Sequence, residues 1–473
     1  MSEISKDNAE RCPLRVAIVG TGPAGMYSVE HLLIELGENV EIDLYERLPT
    51  PWGMVRSAVA PDHLIKKQII DTSFARLLNH KNVRFFGNVC IGKHIQPEEL
   101  SSWYNCVIYA TGADGDTQMN IPGEDLPGCV GARELVHWYN GHPDFADRHF
   151  DLSHKRALIV GNGNVAMDVA RILTLETDEL EKSDMPTYAI EALKQSAIEE
   201  VVILARRGQA QAAFHRPELE EFERLEGVEV ALQGEELLTE DDPHFRELDW
   251  HARKKLATLH RLLKRKVENP RKRIVLHFLA SPKEVIGDDR VEGLKIVRNE
   301  LVNAAEGKLR AQPTDETMIL EAGLIMRAIG FRANPFTGLP FDSQRNVIRN
   351  QLGRVMSFND GNNEETRVPG VYVTGWLKRG PRGLIGTNKF CAFETAECLL
   401  EDVSKRAIPQ ADLNGDQILE IIKQRQPKVV QREHWWTIDL TERAAGSEKR
   451  PRAKLTSHAD LLECAFSCSD DEK

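Results

Sequence analysis

The chain of 473 residues has no apolar run long enough to cross a membrane. Its longest apolar stretches are strand-length pieces such as Val16-Ala17-Ile18-Val19, far below the roughly 18 residues that a spanning helix needs. No CxxC pair occurs among its eight cysteines, Cys12, Cys90, Cys106, Cys129, Cys391, Cys398, Cys464 and Cys468. The usual signals of a dithiol redox centre and of a tetrathiolate zinc or iron–sulfur site are therefore missing. Cys464 and Cys468 form a CxxxC, and the scattered set reads as reduced thiols of a cytoplasmic protein. Positive charge is scarce as well: 61 Lys and Arg stand against 73 Asp and Glu, a formal charge of −12. A chain of that balance is not a nucleic-acid binder as a whole. Met1 to Arg15 has neither the apolar core of a signal peptide nor an Arg-rich, acid-poor transit pattern, so the expected location is the cytoplasm, with no membrane partner. What remains is an ordinary globular composition, 41% hydrophobic and 28% charged, long enough for two or three domains.

The first informative segment is Arg15-Val16-Ala17-Ile18-Val19, followed by Gly20-Thr21-Gly22-Pro23-Ala24-Gly25 and then by apolar residues at helical spacing. Strand, glycine turn and helix are the context that gives GxGxxG its meaning. Gly20 permits the tight turn, Gly22 lets a pyrophosphate approach the backbone, and Gly25 lets the helix pack on the strand. The helix N-terminus supplies N–H donors to the phosphate. A second strand, Val40 to Glu46, ends in an acid 21 residues after Gly25, near the spacing of a carboxylate that accepts hydrogen bonds from ribose hydroxyls. These features together predict a dinucleotide site, for FAD or NAD alike.

A second fingerprint follows. The strand Ala157 to Val160 leads into Gly161-Asn162-Gly163-Asn164-Val165-Ala166 and a helix through Asp168 and Ile172. Ala166 suffices in the third position because close packing needs only a small residue. The next apolar strand, Val201 to Leu204, ends in Ala205-Arg206-Arg207-Gly208 rather than an acid. Two guanidinium forks suit a 2′-phosphate, which favours NADP over NAD. A charged insertion, roughly Glu176 to Glu200, lengthens the spacing to the arginines. Two dinucleotide sites in one chain suggest hydride passage between a nicotinamide and a bound flavin, with the protein aligning and shielding the cofactors.

Four segments resemble the adrenodoxin-reductase-like ferredoxin–NADP reductases, including the bacterial NADPH–ferredoxin reductases, and the resemblance runs from Val16 to about Leu455. They are Tyr45-Glu46-Arg47 with Pro51 to Arg56 and Ala60-Pro61-Asp62-His63; Gly161 to Arg171; Arg206-Arg207-Gly208 through Phe214 to Glu218-Leu219; and Thr374-Gly375-Trp376 to Pro381 with Gly383-Leu384-Ile385-Gly386. The resemblance implies FAD contacts at Ala24, Glu46, Met54, Ile91, Trp376 and the Gly383-Leu384-Ile385 turn. It implies NADP contacts at Gly161, Asn162, Gly163, Asn164, Arg206, Arg207, Glu218 and Gly383, with Val165 following in the fingerprint. It implies that His63 and Asp168 lie near flavin and nicotinamide, linked to proton traffic. Hydride transfer itself needs no side-chain acid or base, so positioning is the alternative role. The sequence departs from the family at Arg382, where a threonine is usual.

The fold class implied is α/β, with two interleaved Rossmann-like dinucleotide-binding domains. The FAD domain is expected at residues 1–113 and 341–473, and the NADP domain inserted at 114–340, with crossings after Val107-Ile108-Tyr109 and after Leu324 to Ala328. The end beyond Thr456 is expected to fray. One region reverses the acidic balance: from Arg253 to Arg273 the local charge is +9, and the rest of the chain carries −21. Ala252, Leu256, Leu259 and Leu263 fall at helical spacing, which leaves a basic stripe of Arg253, Lys254, Lys255, Arg261 and Arg265. Small ferredoxins are acidic, and complementary charge would speed and orient their approach. The reading is thus an FAD-containing NADPH–ferredoxin reductase. A quinone or flavodoxin acceptor stays open, and so does a non-catalytic NADP-binding sensor that has kept the fold. A thioredoxin-reductase-like enzyme is disfavoured by the missing CxxC.

Changing Arg206→Ala and Arg207→Ala together should weaken NADPH binding far more than NADH binding. The lost charge-assisted hydrogen bonds commonly amount to several kcal/mol in total. Titrating both nucleotides against the double variant checks this, and an unchanged NADPH/NADH preference defeats the assignment.

Overall fold

Two sheets, one mainly and one wholly parallel, organise the chain. The computed structural model describes residues 13–239, 241–303, 309–359 and 364–467, so Cys12, Cys468 and Ser469 to Lys473 lie outside the described residues. The first sheet has seven strands, in the order Asn350–Gln351, Arg354–Asn359, Glu364–Val373, Cys106–Tyr109, Leu14–Val19, Val40–Tyr45, Val83–Phe86. The last five pair in parallel, and the first two join as an antiparallel edge. The second sheet has six strands, all parallel, in the order Cys129–Gly131, Leu324–Arg327, Arg156–Val160, Glu200–Leu204, Lys272–His277, Val228–Gln233. Parallel strands covered on both faces read as continuous apolar runs, which is why Val16 to Val19 and Ala157 to Val160 are buried throughout. The fold is α/β with two interleaved Rossmann-like units, as the motifs indicate.

The chain fills the first sheet up to Tyr109, supplies the second from Cys129 to Arg327, and returns to the first at Asn350. Beside the crossings, Gly115–Asp116 and Phe331–Arg332 pair as an antiparallel ribbon. The helices that matter below are α1 (Pro23–Leu36), α2 (Leu64–Lys67), α3 (Asn164–Thr174), α4 (Arg216–Glu221), α5 (Trp250–Lys264), α6 (Thr387–Ser404) and α7 (His458–Phe466). In this numbering α1 and α3 begin at the two fingerprints.

The fingerprint glycines divide into two kinds. Gly20 has φ +104°, and a Cβ there would lie 2.6 Å from the Ala110 carbonyl oxygen; Gly161 has φ +111°, with 2.3 Å to that of Ala328. Gly25 would place a Cβ 2.0 Å from the Gly20 oxygen. Gly22 and Gly163 are different, since a Cβ on either meets no heavy atom within 4 Å. Their missing side chains keep space open above the turn.

Two expectations need correction. The end beyond Thr456 does not fray as a whole: α7 follows it, Ser457 accepts a capping bond from the Asp460 N–H at 3.0 Å, and Leu461 and Ala465 are buried in the first unit's core. In α5 the buried apolar residues are Ala252, Leu256, Leu259 and Leu262, with Leu263 only half-buried. Spacings of 3 and 4 both satisfy a helical stripe, and the neighbouring elements choose between adjacent leucines.

Gly161→Ala should destabilise the protein by about 1–3 kcal/mol, the range for a non-glycine residue held in a sparsely populated conformation, with the Ala328 oxygen clash in addition. Gly163→Ala, at φ −83° with open space around it, should leave the urea unfolding midpoint nearly unchanged.

Candidate active site

A cleft of about 380 Å³ opens at the C-terminal ends of the first sheet's strands. Gly20, Gly22, Ala24, Glu46, Met54, Ile91 and Trp376 all line it. The Glu46 carboxylate is fixed in place: Thr21 donates to Oε2 through its hydroxyl at 2.7 Å and its N–H at 3.2 Å, and the Leu48 N–H reaches Oε1 at 3.2 Å. At Trp376 the ring lies nearly parallel to Phe331, with centroids 5.5 Å apart. Its indole N–H is buried and has no partner among the described residues. Arg47, next to Glu46, also stands in this wall, and sequence reasoning missed Arg133, His137, His142 and Asn388 there, because nothing local marks residues that reach the cleft from other elements.

The Gly383-Leu384-Ile385 turn does not line the cleft. Leu384 is 53% exposed, Ile385 packs against the first core, and Gly383 takes a φ of +84°. The turn leads into α6, whose Asn388 does reach the cleft and donates to the Leu384 oxygen at 3.2 Å. Arg382 is exposed in the same turn, and its carbonyl accepts from Arg379. Gly25 is likewise outside the cleft and serves the packing of α1.

At the second fingerprint, the Gly161 N–H donates to the Leu204 oxygen at 2.9 Å, and Gly163 precedes α3. Asn162, Gly163, Asn164 and Val165 are half-buried. Asn164 accepts from the His215 N–H at 2.9 Å, which ties the start of α3 to the segment leading into α4. Arg206 is exposed and Arg207 half-buried beyond the strand Glu200–Leu204. Glu218, on α4, is buried, and its Oε2 has no hydrogen-bond partner among the described residues.

His63 stands at the start of α2, where its side chain makes no helix-capping bond. The ring turns instead to α3 and α4. Its Nε2 is 2.9 Å from Glu221 Oε2, while Nδ1 is 3.9 Å from Asp168 Oδ1. Arg171, buried on α3, donates to Asp168 at 2.8 Å, approaches His63 Nε2 at 2.9 Å and Glu221 at 3.0 Å, and contacts Asp62. A guanidinium and a carboxylate thus crowd the same ring nitrogen. Protonated Nε2 can donate to Glu221; unprotonated, it can accept from Arg171. Burial pushes the Asp168 carboxyl up to about 7 against the pull of His63. For Glu221 burial acts upward too, but the His63 hydrogen bond and Arg171 hold the group at about 2. Two carboxylates set this far apart around one imidazole can hold and pass a proton. Glu221 and Arg171 are the residues that the sequence reading missed; the available signal was their spacing, three residues after Glu218 and Asp168 on shared helix faces.

The comparisons agree with this geometry. A family profile described as pyridine nucleotide-disulphide oxidoreductase matches residues 14–242. NADPH-ferredoxin reductase FprA of Mycobacterium tuberculosis is 42% identical over 95% of this chain and 98% of its own length. The mitochondrial NADPH:adrenodoxin oxidoreductase of Arabidopsis thaliana is 38% identical over 97% and 96%. A solved structure of M. tuberculosis FprA in complex with NADPH superposes with a TM-score of 0.90, covering 96% of this chain and all of that one. Fold and cleft define a two-unit pyridine-nucleotide oxidoreductase. Within that class the chain belongs to the adrenodoxin-reductase-like ferredoxin–NADP reductase family, whose members depend on FAD and NADP.

The raised Asp168 value has a thermodynamic sign. Between its ordinary value of 3.8 and about 7 the folded chain binds more protons than the unfolded one, so this group's contribution to stability falls as pH rises through that window. Glu221 acts oppositely, giving stability above 4.5 that is lost as pH falls toward about 2. Thermal midpoints measured from pH 4.5 to 8 should fall less steeply in Asp168→Asn than in the parent.

Proposed function

We infer that this chain is an NADPH–ferredoxin reductase: it takes hydride from NADPH onto FAD and passes electrons singly to a ferredoxin-type iron–sulfur protein. The observation that carries this is the place of His63. It lies in the chain between strands of the first sheet, yet it packs against α3 and α4, the helices that adjoin the second fingerprint. The residues fit both cofactors. Trp376 offers an orphaned indole N–H, Glu46 an oriented carboxylate, and Gly22 a turn with open space above it, as FAD requires. Glu218 Oε2 is a buried acceptor without a hydrogen-bond partner among the described residues, suited to a hydroxyl or amide N–H of NADP, and the guanidinium groups of Arg206 and Arg207 beyond the strand Glu200–Leu204 suit its 2′-phosphate. When bound, the nicotinamide supplies the hydride and the flavin a group that accepts two electrons and releases them one at a time.

The protein's own tasks follow. Glu46 takes the ribose of FAD, with Ala24, Met54, Ile91 and Trp376 along its length. The Gly383-Leu384-Ile385 turn acts through the position it gives α6. Gly161 to Asn164 with Arg206, Arg207 and Glu218 hold NADP. His63 and Asp168, with Glu221, hold a proton at the junction. The FAD unit comprises residues 1–113 and 341–473 and the NADP unit 114–340, a division supported by the sheet to which each strand belongs. Six described cysteines are unpaired, in keeping with a reducing cytoplasm.

The ferredoxin docks on the exposed part of the basic stripe. Its free charge is smaller than the sequence implies: Arg261, though exposed, pairs with Glu223 at 3.0 Å, and the half-buried Arg265 and Lys255 donate to the Glu223 and Val228 carbonyls and to that of Ala212. Arg253 and Lys254 remain exposed without a carboxylate partner among the described residues, Arg253 donating to the Leu248 and Arg246 carbonyls at 2.7 and 3.1 Å and Lys254 beside the exposed Trp250 ring. Reversing Arg253→Glu and Lys254→Glu should slow reduction of an acidic [2Fe–2S] ferredoxin at low salt by about tenfold or more, as loss of electrostatic steering does. Anaerobic flavin bleaching by NADPH should be unchanged. Equal ferredoxin rates would move the docking site elsewhere, and a flavin that NADPH does not bleach would overturn the reductase reading.

A further inference from the structure

The stretch that presents His63 has little apolar anchorage of its own. Between Pro61 and Ile70 the one fully buried residue is Lys67, and Ile65 is 82% exposed. Helix α2 is four residues long, and its N-terminus carries no side-chain cap. Something else must hold the imidazole opposite α3 and α4.

Arg171 contacts Asp62, and Lys66 lies 3.7 and 3.5 Å from Glu218 and Glu221 at the partly exposed side of the stretch; its buried side is held by one further residue of the inserted unit. Asp184 lies between the helices Thr177–Glu181 and Thr187–Lys194. Its backbone N–H donates to the Pro61 oxygen at 3.3 Å. Its carboxylate accepts from Lys67 Nζ at 2.7 and 2.9 Å. Pro61 and Lys67 bracket His63, so the same residue grips both ends of the stretch. Lys67 also donates to Asn140 Oδ1 at 3.2 Å.

A third segment completes the arrangement. Lys454, near the C-terminus, has Nζ 3.0 Å from Asp184 Oδ2 and donates to the Arg56 and Asn140 carbonyls at 3.1 and 3.0 Å. Arg450 donates to the Met185 oxygen and, at 3.2 Å, to the Thr187 hydroxyl. Lys67, Asp184 and Lys454 are all buried, so one carboxylate answers two ammonium groups away from water. Burial lowers both lysines, Lys454 the more strongly, and the two cations hold Asp184 below its ordinary value despite its burial. A buried ion stripped of its partner is strongly disfavoured, which couples the three segments. None of the three residues lines the cleft.

We propose that Asp184 is a positioning residue for the reaction. By clamping Pro61 and Lys67 from the opposite unit, with Lys454 holding it in place, it sets the His63 imidazole at Glu221 and Asp168. The proposal rests on the reading of His63 as the group at the flavin–nicotinamide junction.

Lys67→Met tests it cleanly, because Asp184 and Lys454 remain as a balanced pair and the fold should survive. Asp184→Asn is the second variant. In the holoprotein, amide hydrogen exchange of the 58–70 peptide should rise about tenfold in Lys67→Met. The single-turnover rate of flavin bleaching by NADPH should fall about tenfold, with half-saturation by NADPH unchanged. The same change made in a His63→Gln background should add no further slowing, since a residue that acts through His63 has nothing left to position. Unchanged exchange overturns the clamp, and equal slowing in both backgrounds overturns its action through His63. If His63→Gln alone leaves the rate untouched, the His63 reading fails while the exchange result still judges the clamp.

Discussion

At the first glycine of each fingerprint a backbone carbonyl occupies the room that a side chain would need: the Ala110 oxygen over Gly20 and the Ala328 oxygen over Gly161. Each is a close approach between a nucleotide turn and a chain that is leaving its sheet. Ala110 follows the strand Cys106–Tyr109, where the backbone departs for the second unit, and Ala328 follows Leu324–Arg327, where it starts back. The turns that face the phosphates and the crossings that join the units are thus fixed against one another. The positions of the cleft, of α1 and of α3 all derive from this contact, because a larger residue at either glycine would push turn and crossing apart.

Local physics made much of this readable. Each fingerprint is a strand, a turn and a helix within about 25 residues, and the steric demand on each glycine is set by neighbours close in sequence or in the adjoining strand. The crossings were visible as apolar strands ending in small residues. What stayed hidden depends on contacts across hundreds of residues. Glu221 reaches His63 over 158 positions, so its spacing from Glu218 could place it on the same helix face but could not show what that face meets. The docking of α7 depends on a core assembled from both ends of the chain, so its sequence alone looked like a loose tail.

Charge shows the same divide. The excess of Lys and Arg between Arg253 and Arg273 was plain, but which of these side chains face outward was not. Arg265 spends its guanidinium on two carbonyls and Arg261 on Glu223, so composition overstated the exposed basic surface. At the His63 cluster the reverse holds. Four charged groups gather around one imidazole, and unequal burial and pairing drive Asp168 and Glu221 to opposite ends of the carboxyl range.

The ribbon of Gly115–Asp116 and Phe331–Arg332 has a consequence for how such a chain can be assembled. Asp116 lies opposite Phe331 and Gly115 opposite Arg332 in register. The two ends of the inserted unit are therefore neighbours, like the two leads of a plug. Seen genetically, the second sheet is carried on a cassette between these two positions, and a hairpin turn across that register would close the host sheet behind it.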